Sequence, residues 1–227
     1  MSFIEFQKVS LTFQTKTQRI PIFEELDLEI GKGELVTIYG PSGKGKSTLL
    51  NLVSGFLRPT AGKIFVDAAD LCTMPETAVC KYRNQRIGYL FQTFNLIQQF
   101  NVWDNVSVPL LLSGMQKTEI KKRVEALLET VGLSERKLEY PRTLSGGEQQ
   151  RAAFARAIAN DPDILLADEP TGNLDAANGE KLIEMLRTLN RSRNITVLCV
   201  THDPRFIETE QKNGGRMIDI ETITKQM

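Results

Sequence analysis

The chain has 227 residues, of which 41% are hydrophobic and 25% are charged, a balance typical of a globular protein with a substantial core. Its 28 basic residues equal its 28 acidic ones, so no overall field draws it to nucleic acid, and we expect no nucleic-acid partner. No apolar run approaches the roughly 20 residues that cross a bilayer, and no secretory signal is visible. Three cysteines without metal-ligand spacing indicate a reducing, cytoplasmic compartment.

The N-terminal part of the chain predicts strands. Apolar and polar residues alternate at Phe3–Phe6 and Phe23–Ile30, as in half-exposed strands. The nearly continuous apolar run Leu35–Tyr39 predicts a strand that is buried on both faces. A glycine-rich loop follows at once, and then a helix with its buried side supplied by Leu49, Leu50, Leu52 and Val53.

The rest of the chain predicts helices first and then an α/β alternation. One face of a helix that ends at Gly132 is formed by Ile120, Val124, Leu127, Leu128 and Val131. A second helix is expected over Ala152–Ala159. Two buried strands, Ile164–Ala167 and Ile195–Val200, flank a helix marked by Leu182, Met185, Leu186 and Leu189. This alternation favours a mostly parallel sheet.

The glycine-rich loop carries the first chemical motif. It fits the pattern G-x-x-x-x-G-K-[ST] between a buried strand and an amphipathic helix, the setting of a P-loop. Glycines let backbone N–H groups point at phosphate oxygens, and the helix N-terminus adds positive charge. Lys46 is expected to reach the β- and γ-phosphates and Ser47 to ligate Mg²⁺. The predicted nucleotide contacts are Gly40, Pro41, Ser42, Gly43, Lys44, Gly45, Lys46, Ser47 and Thr48.

Acidic residues and a histidine follow the two later strands. Asp168 ends the first of them and is placed to hold the metal, and Glu169 is the natural general base for an attacking water. The alternative is that this pair only caps a turn. His202, the one histidine of the chain, follows the second strand. Its position at a strand end favours a γ-phosphate contact over a purely structural role.

These motifs define a fold class and a domain organisation. We predict an α/β protein with a mostly parallel P-loop NTPase core, an N-terminal antiparallel β part and an inserted α-helical lobe. The whole chain, 1–227, is expected to form one domain. Its nucleotide-binding lobe would comprise 1–92 and 161–227, and its helical lobe 93–160.

A second glycine turn carries a family resemblance. Leu144–Arg151, with the sequence LSGGEQQR, resembles the signature motif of ABC ATPases. The resemblance implies that two subunits meet head to tail. The signature of one, here Ser145, Gly146, Gly147 and Glu148, would then close over the ATP held by the P-loop of the other.

The resemblance extends over nearly the whole chain. Gln92 lies where the family has a glutamine that touches Mg²⁺ and the attacking water and senses the permease. Glu169–Asp175 is similar to the stretch that includes the D-loop, and His202 to the switch histidine. Phe13 lies where an aromatic residue stacks on adenine, although a simple core or edge aromatic is the alternative. The catalytic residues implied are therefore Glu169, His202, Gln92 and Lys46, and the metal ligands are Ser47, Gln92 and Asp168.

Within the family the chain looks most like the ATPases of lipoprotein release and macrolide export, which implies a transport ATPase. ATP, Mg²⁺, a second copy of the chain and a transmembrane permease are then expected, with an extracytoplasmic adaptor reached through the permease. The expected location is the cytoplasmic face of the inner membrane. The alternatives are a regulatory ATPase similar to the cell-division protein FtsE and a soluble ABC ATPase without a transport role.

Two departures from the family pattern stand out. Lys44 replaces the usual small residue of the P-loop and adds a positive charge beside the phosphates, which is expected to alter nucleotide affinity. The polar segment Phe206–Asn213 stands where the family has an apolar strand, so the last strand pair is expected to be remodelled.

Overall fold

The computed structural model describes residues 2–16 and 18–224. Along this part of the chain the strands are β1 (Ile4–Gln14), β2 (Arg19–Ile30), β3 (Leu35–Tyr39), β4 (Ala61–Val66), β5 (Ala69–Asp70), β6 (Ile87–Leu90), β7 (Ile164–Asp168), β8 (Thr196–Thr201) and β9 (Arg216–Asp219). The α-helices are α1 (Lys46–Val53), α2 (Glu76–Arg86), α3 (Val102–Leu112), α4 (Lys117–Thr130), α5 (Gly146–Ala157), α6 (Ala176–Arg193), α7 (Pro204–Lys212) and α8 (Ile220–Thr224).

Two sheets organise these elements. The central sheet is parallel, in the order β6-β7-β8-β3-β9, and the N-terminal sheet is antiparallel, in the order β2-β1-β4-β5. The predicted parallel core with an N-terminal antiparallel part is therefore confirmed. In the central sheet Tyr39 pairs with Thr201 and Asp168 with Val200. The P-loop, Asp168 and His202 consequently meet at one carboxyl edge, where open α/β sheets bind their ligands.

The central strands are buried because α-helices cover the parallel sheet. Every residue of β8 is buried, and in β7 only the last residue, Asp168, is partly exposed. Cys199 lies in β8 with no exposed surface, and burial raises the pKa of its thiol well above the usual value. Cys199 is therefore a small buried hydrophobic residue of the core.

The inserted helices pack around α5, which contacts α3, α4 and β6. All five apolar residues of the predicted stripe on α4 are buried, and Gly132 follows this helix with a φ of 67°. The second predicted helix is α5, but it begins at Gly146, six residues before the expected start at Ala152. The earlier start has a local cause, because Ser145 and Glu148 form a capping box at its N-terminus.

The described C-terminal segment contains α7, β9 and α8. The polar stretch forms α7, in which Phe206 is completely buried and Glu210 pairs with Arg187 at 3.1 Å. A single strand, β9, then pairs with β3, and the short helix α8 follows it. Among the described residues, no helix combines the length and the apolar character that a membrane span needs.

Candidate nucleotide-binding and hydrolysis site

The P-loop connects β3 to α1 and wraps around the side chain of Lys46. Gly43 and Gly45 have φ values of 79° and 90°, which L side chains rarely adopt, so both positions favour glycine. Lys46 is only 5% exposed, and its Nζ donates to the carbonyl oxygens of Gly40 at 2.8 Å and Pro41 at 3.0 Å. The loop thus holds a buried cation among backbone carbonyls, close to where its own N–H groups would receive phosphates.

The end of β7 brings a carboxylate to the start of α1. The Ser47 hydroxyl donates to Asp168 Oδ1 at 2.8 Å. Burial raises the pKa of Asp168, while the bond from Ser47 opposes that shift. Two hard oxygen atoms therefore lie side by side beside the P-loop. Among the described residues no group of three or more acidic, histidine or cysteine side chains gathers. This donor set fits Mg²⁺, which keeps waters and substrate phosphates as its remaining ligands.

Glu169 and His202 form a close polar pair at the sheet edge. Oε1 of Glu169 lies 2.7 Å from Nδ1 of His202 and 3.8 Å from Nζ of Lys46, and its Oε2 accepts the backbone N–H of His202 at 3.0 Å. The Glu169 backbone has a φ of 44°, an uncommon and costly conformation outside glycine. Its carboxylate is buried, whereas the His202 side chain is 58% exposed. The pair therefore joins a buried acid to an imidazole that solvent can reach.

Gln92 and Phe13 lie at two margins of this cluster. The backbone carbonyl of Gln92 accepts a bond of 2.7 Å from Asn173, which fixes the loop after β6 against the loop after β7. Phe13 is 38% exposed and pairs with Ile20 across the antiparallel sheet. Ile20 lies two residues before Ile22 on β2, and Ile22 packs at Gly45 of the P-loop. Among the described residues no hydrogen bond joins the side chain of Gln92 to Lys46, Glu169 or His202.

The signature turn lies at the start of α5 and is closed by its own hydrogen bonds. The Ser145 hydroxyl accepts the N–H of Glu148, and the Glu148 carboxylate accepts the N–H of Ser145 at 2.9 Å. Arg136 lies 3.4 Å from that carboxylate. These bonds lower the pKa of Glu148. Among the described residues no hydrogen bond or ion pair links this turn to the P-loop.

Two contacts at the site were not anticipated from the sequence. Lys44 points to Glu221 of α8 at 3.5 Å, so the extra charge of the P-loop is paired with an acidic residue of the C-terminal segment. Thr171 donates to Asp203 at 2.7 Å, behind the Glu169–His202 pair. Thr171 and Asp203 belong to the Glu169–Asp175 and Thr201–Asp203 motifs, so their sequence signal was present, whereas only the folded chain brings Glu221 to Lys44.

Two surface cavities lie away from this cluster. A groove of about 520 Å³ beside Gln92 is lined by stacked Tyr89 and Phe91, whose ring centroids are 4.1 Å apart, and by Phe56. A cavity of about 560 Å³ lies at the opposite, amino edge of the sheet, between Arg123 and Asp163. That second cavity contains none of the predicted site residues.

Comparisons with known proteins agree with this geometry. The family model described as ABC transporter matches residues 23–172. The lipoprotein-releasing system ATP-binding protein LolD of Legionella pneumophila (strain Paris) is 42% identical over 202 residues, 89% of each chain. The methionine import ATP-binding protein MetN 1 of Bacillus cereus is 42% identical over 205 residues, 90% of this chain and 59% of that protein. The dimeric post-hydrolysis structure of the cassette MJ0796 with ADP and Pi aligns with a TM-score of 0.83 and 38% identity over 89% of both chains.

The chain therefore belongs to the ABC transporter family. It has the ABC ATPase fold, binds and hydrolyses ATP, and is the ATPase subunit of a transporter. Cassettes of this family form dimers and work with transmembrane permeases.

Proposed function

We propose that Glu169 is the general base of ATP hydrolysis and that His202 orients it. The observation that carries this proposal is the convergence of Glu169, His202 and Lys46 at the carboxyl edge of the sheet, beside the P-loop. Glu169 is buried but within 3 Å of an exposed imidazole, so the pair faces the side from which water and the γ-phosphate arrive. Glu169 takes the proton of the attacking water.

The remaining polar groups stabilise charge on the phosphates. Lys46 exchanges its carbonyl partners for β- and γ-phosphate oxygens, and His202 contacts the γ-phosphate as charge spreads over the transferred group. Ser47 and Asp168, with Gln92 from the neighbouring loop, would hold Mg²⁺, which neutralises phosphate charge when it is bound. Phe13 supplies a half-exposed ring for the adenine base.

The second part of the proposal is a head-to-tail homodimer. The N-terminus of α5 with Ser145, Gly146 and Gly147 offers N–H groups to an anion but makes no bond to its own P-loop. A nucleotide held by the P-loop of one copy would satisfy the signature turn of the other. ATP then bridges the copies, and hydrolysis releases them.

The third part concerns the permease, which we place at the groove beside Gln92. Phe56 is 54% exposed and Leu112 is 75% exposed, and both line this groove with Tyr89 and Phe91. Exposed aromatic and aliphatic side chains around a concave surface are typical of protein-docking sites. Movement of Gln92 would then report nucleotide binding to the permease.

The similarity to the lipoprotein-releasing protein leads us to propose a permease of the export, lipoprotein-release or mechanically coupled kind, reaching an extracytoplasmic adaptor. Such a subunit would work at the cytoplasmic face of the inner membrane. Purification of the tagged chain from membranes, with identification of the co-purifying membrane protein, tests this part. An import permease as the only membrane partner would contradict it.

The decisive experiment is the substitution Glu169→Gln, which keeps the shape of the side chain and removes its basicity. The variant is expected to bind ATP, to lose about 10²-fold or more in kcat, and to accumulate as an ATP-bound dimer in size-exclusion chromatography. Glu34→Gln, at the opposite edge of the sheet, is the matched control and should hydrolyse ATP like the native chain. A native rate for Glu169→Gln would show that Glu169 is not the base.

A further inference from the structure

The loops that carry Glu169 and His202 are joined by a buried polar contact behind the catalytic pair. The hydroxyl of Thr171 donates to Oδ2 of Asp203 at 2.7 Å. Thr171 has no exposed surface and Asp203 is 9% exposed. Thr171 stands two residues after Glu169, and Asp203 directly follows His202. A contact between these two side chains therefore fixes the distance between the two catalytic loops.

Asp203 is itself held by a fork of donors. Arg205 donates through Nε and Nη2 to the carboxylate, with Nη2 at 2.6 Å from Oδ2, and its backbone N–H bonds to Oδ1 at 3.0 Å. The N–H of Asp203 donates to Thr201 at 3.0 Å. The Arg205 side chain, and after it the bonds from Thr171 and from the Arg205 backbone, lower the pKa of Asp203 to about 2. Asp203 is thus a fixed, ionised acceptor at neutral pH.

The catalytic pair needs such support. Glu169 has left-handed backbone dihedrals, a conformation that persists only where its surroundings over-determine it. The N–H of Glu169 donates to the carbonyl oxygen of Val200 at 2.9 Å. That bond holds the start of the loop after β7 but not the residues that follow Glu169. The Thr171–Asp203 contact lies beyond Glu169 and so secures the other side of the strained residue.

We propose that Thr171, Asp203 and Arg205 form a clamp that positions His202 against Glu169, and that Thr171 and Arg205 are positioning residues for hydrolysis. The inference rests on the proposed roles of Glu169 and His202. Among the described residues no hydrogen bond or ion pair links Thr171, Asp203 or Arg205 to the P-loop, so the clamp is expected to act on the turnover step and to leave ATP binding by the P-loop unchanged.

Thr171→Val tests the clamp, because it keeps the side-chain shape and removes the hydroxyl. We expect kcat to fall about tenfold and the KM for ATP to stay within about twofold, as for loss of one buried hydrogen bond to a charged group. Thr171→Ser restores the donor and should recover most of kcat. The matched control is Thr37→Val, since Thr37 of β3 is equally buried and its hydroxyl has no partner among the described residues.

A second readout separates positioning from a general loss of stability. His202 is the only histidine in the chain, so ¹⁵N-histidine labelling gives the NMR signals of this one ring. In the nucleotide-free protein, Thr171→Val should shift the Nδ1 signal that reports the bond to Glu169, and Thr37→Val should not. This measurement needs no hydrolysis, so it stays informative even if Glu169→Gln shows that Glu169 is not the base.

Arg205→Gln provides a variant that is expected to fold, because the Arg205 side chain is 39% exposed. It should lower kcat about threefold with the same change in the His202 signal, and Arg205→Lys should restore part of both. Native kcat in both Thr171→Val and Arg205→Gln would overturn the clamp. So would a fall in kcat with an unchanged His202 signal.

Discussion

The chain presents two glycine turns at the N-termini of helices, and they differ in what surrounds them. The P-loop turn is connected to the rest of its site, since Lys46 lies near Glu169 and Ser47 bonds to Asp168. Among the described residues, the side-chain bonds of the signature turn are those of the Ser145–Glu148 capping box and the ion pair with Arg136, and none of them reaches the P-loop. Both turns offer the same chemistry to an anion, namely backbone N–H groups and the positive end of a helix.

This difference between the P-loop turn and the signature turn shows which groups of the ATPase site a single chain brings together. The P-loop edge of the sheet collects a cation, two oxygen atoms that fit a metal and a candidate base, and the parallel strands fix their distances. The signature turn has a preformed anion-binding geometry and no catalytic group beside it. Such a half-site is useful only when a nucleotide is delivered by another molecule, which is the physical content of the proposed dimer.

The largest effect should come from removing the P-loop cation. Lys46→Ala leaves the phosphate charge without its buried partner, and we expect kcat/KM for ATP to fall about 10²- to 10³-fold. Lys44→Ala is the control within the same loop, because Lys44 is half-exposed and directed at Glu221. A steady-state ATPase assay of both variants decides the point. Equal losses of kcat/KM in the two variants would mean that the total charge of the loop matters and the position of Lys46 does not.

A charge placed in the signature turn should have the next largest effect. An added Cβ at Gly146 meets nothing closer than the Asn173 carbonyl oxygen at 3.9 Å, so the backbone position has room for the first side-chain atom of Gly146→Asp. Its carboxylate favours the helix N-terminus but repels phosphate, and we expect at least about a tenfold loss of ATPase activity with unchanged thermal stability. Gly146→Ala, which adds no charge, should retain most activity.

Mixing the two variants tests whether the P-loop of one copy and the signature turn of the other act on the same nucleotide. A mixed dimer of Lys46→Ala and Gly146→Asp copies has one site with both defects and one intact site. At equal amounts we expect the mixture to reach about a quarter of the native rate, since about half of the dimers are mixed and each keeps one of two sites. Activity no higher than that of the separate variants would show that both turns serve one nucleotide in one chain.

The sequence was most informative where local patterns have one geometric solution. The strand, glycine loop and helix of the P-loop follow from Leu35–Val53, because a buried strand and a phosphate-binding loop leave few arrangements. The carboxyl edge that gathers Asp168 and His202 follows from the parallel order of the strands. The helix stripe of α4 was readable because its period is set by the backbone.

Other features depend on contacts between distant parts of the chain. The apolar pattern alone places the start of α5 at Ala152, later than the capping box with which the helix begins at Gly146. Thr171 and Asp203 are 32 positions apart, and their bond depends on how two loops cross above the sheet. The pairing of Lys44 with Glu221 depends on the path of the tail after β9, which brings α8 back to the P-loop.

The smallest expected effect concerns the pair formed by Lys44 and Glu221. It tests whether nucleotide binding by the P-loop depends on α8. Glu221 offsets the charge of Lys44 at 3.5 Å, and both side chains are partly exposed. Glu221→Gln should therefore unmask a positive charge near the phosphates and tighten ATP binding by at most about fivefold at low salt.

This gain in ATP affinity should disappear at high ionic strength, and Lys44→Ser combined with Glu221→Gln should bind ATP like the native chain. Equilibrium binding of a fluorescent ATP analogue measures all three proteins. Weaker binding by Glu221→Gln alone would mean that α8 supports the shape of the P-loop rather than its charge.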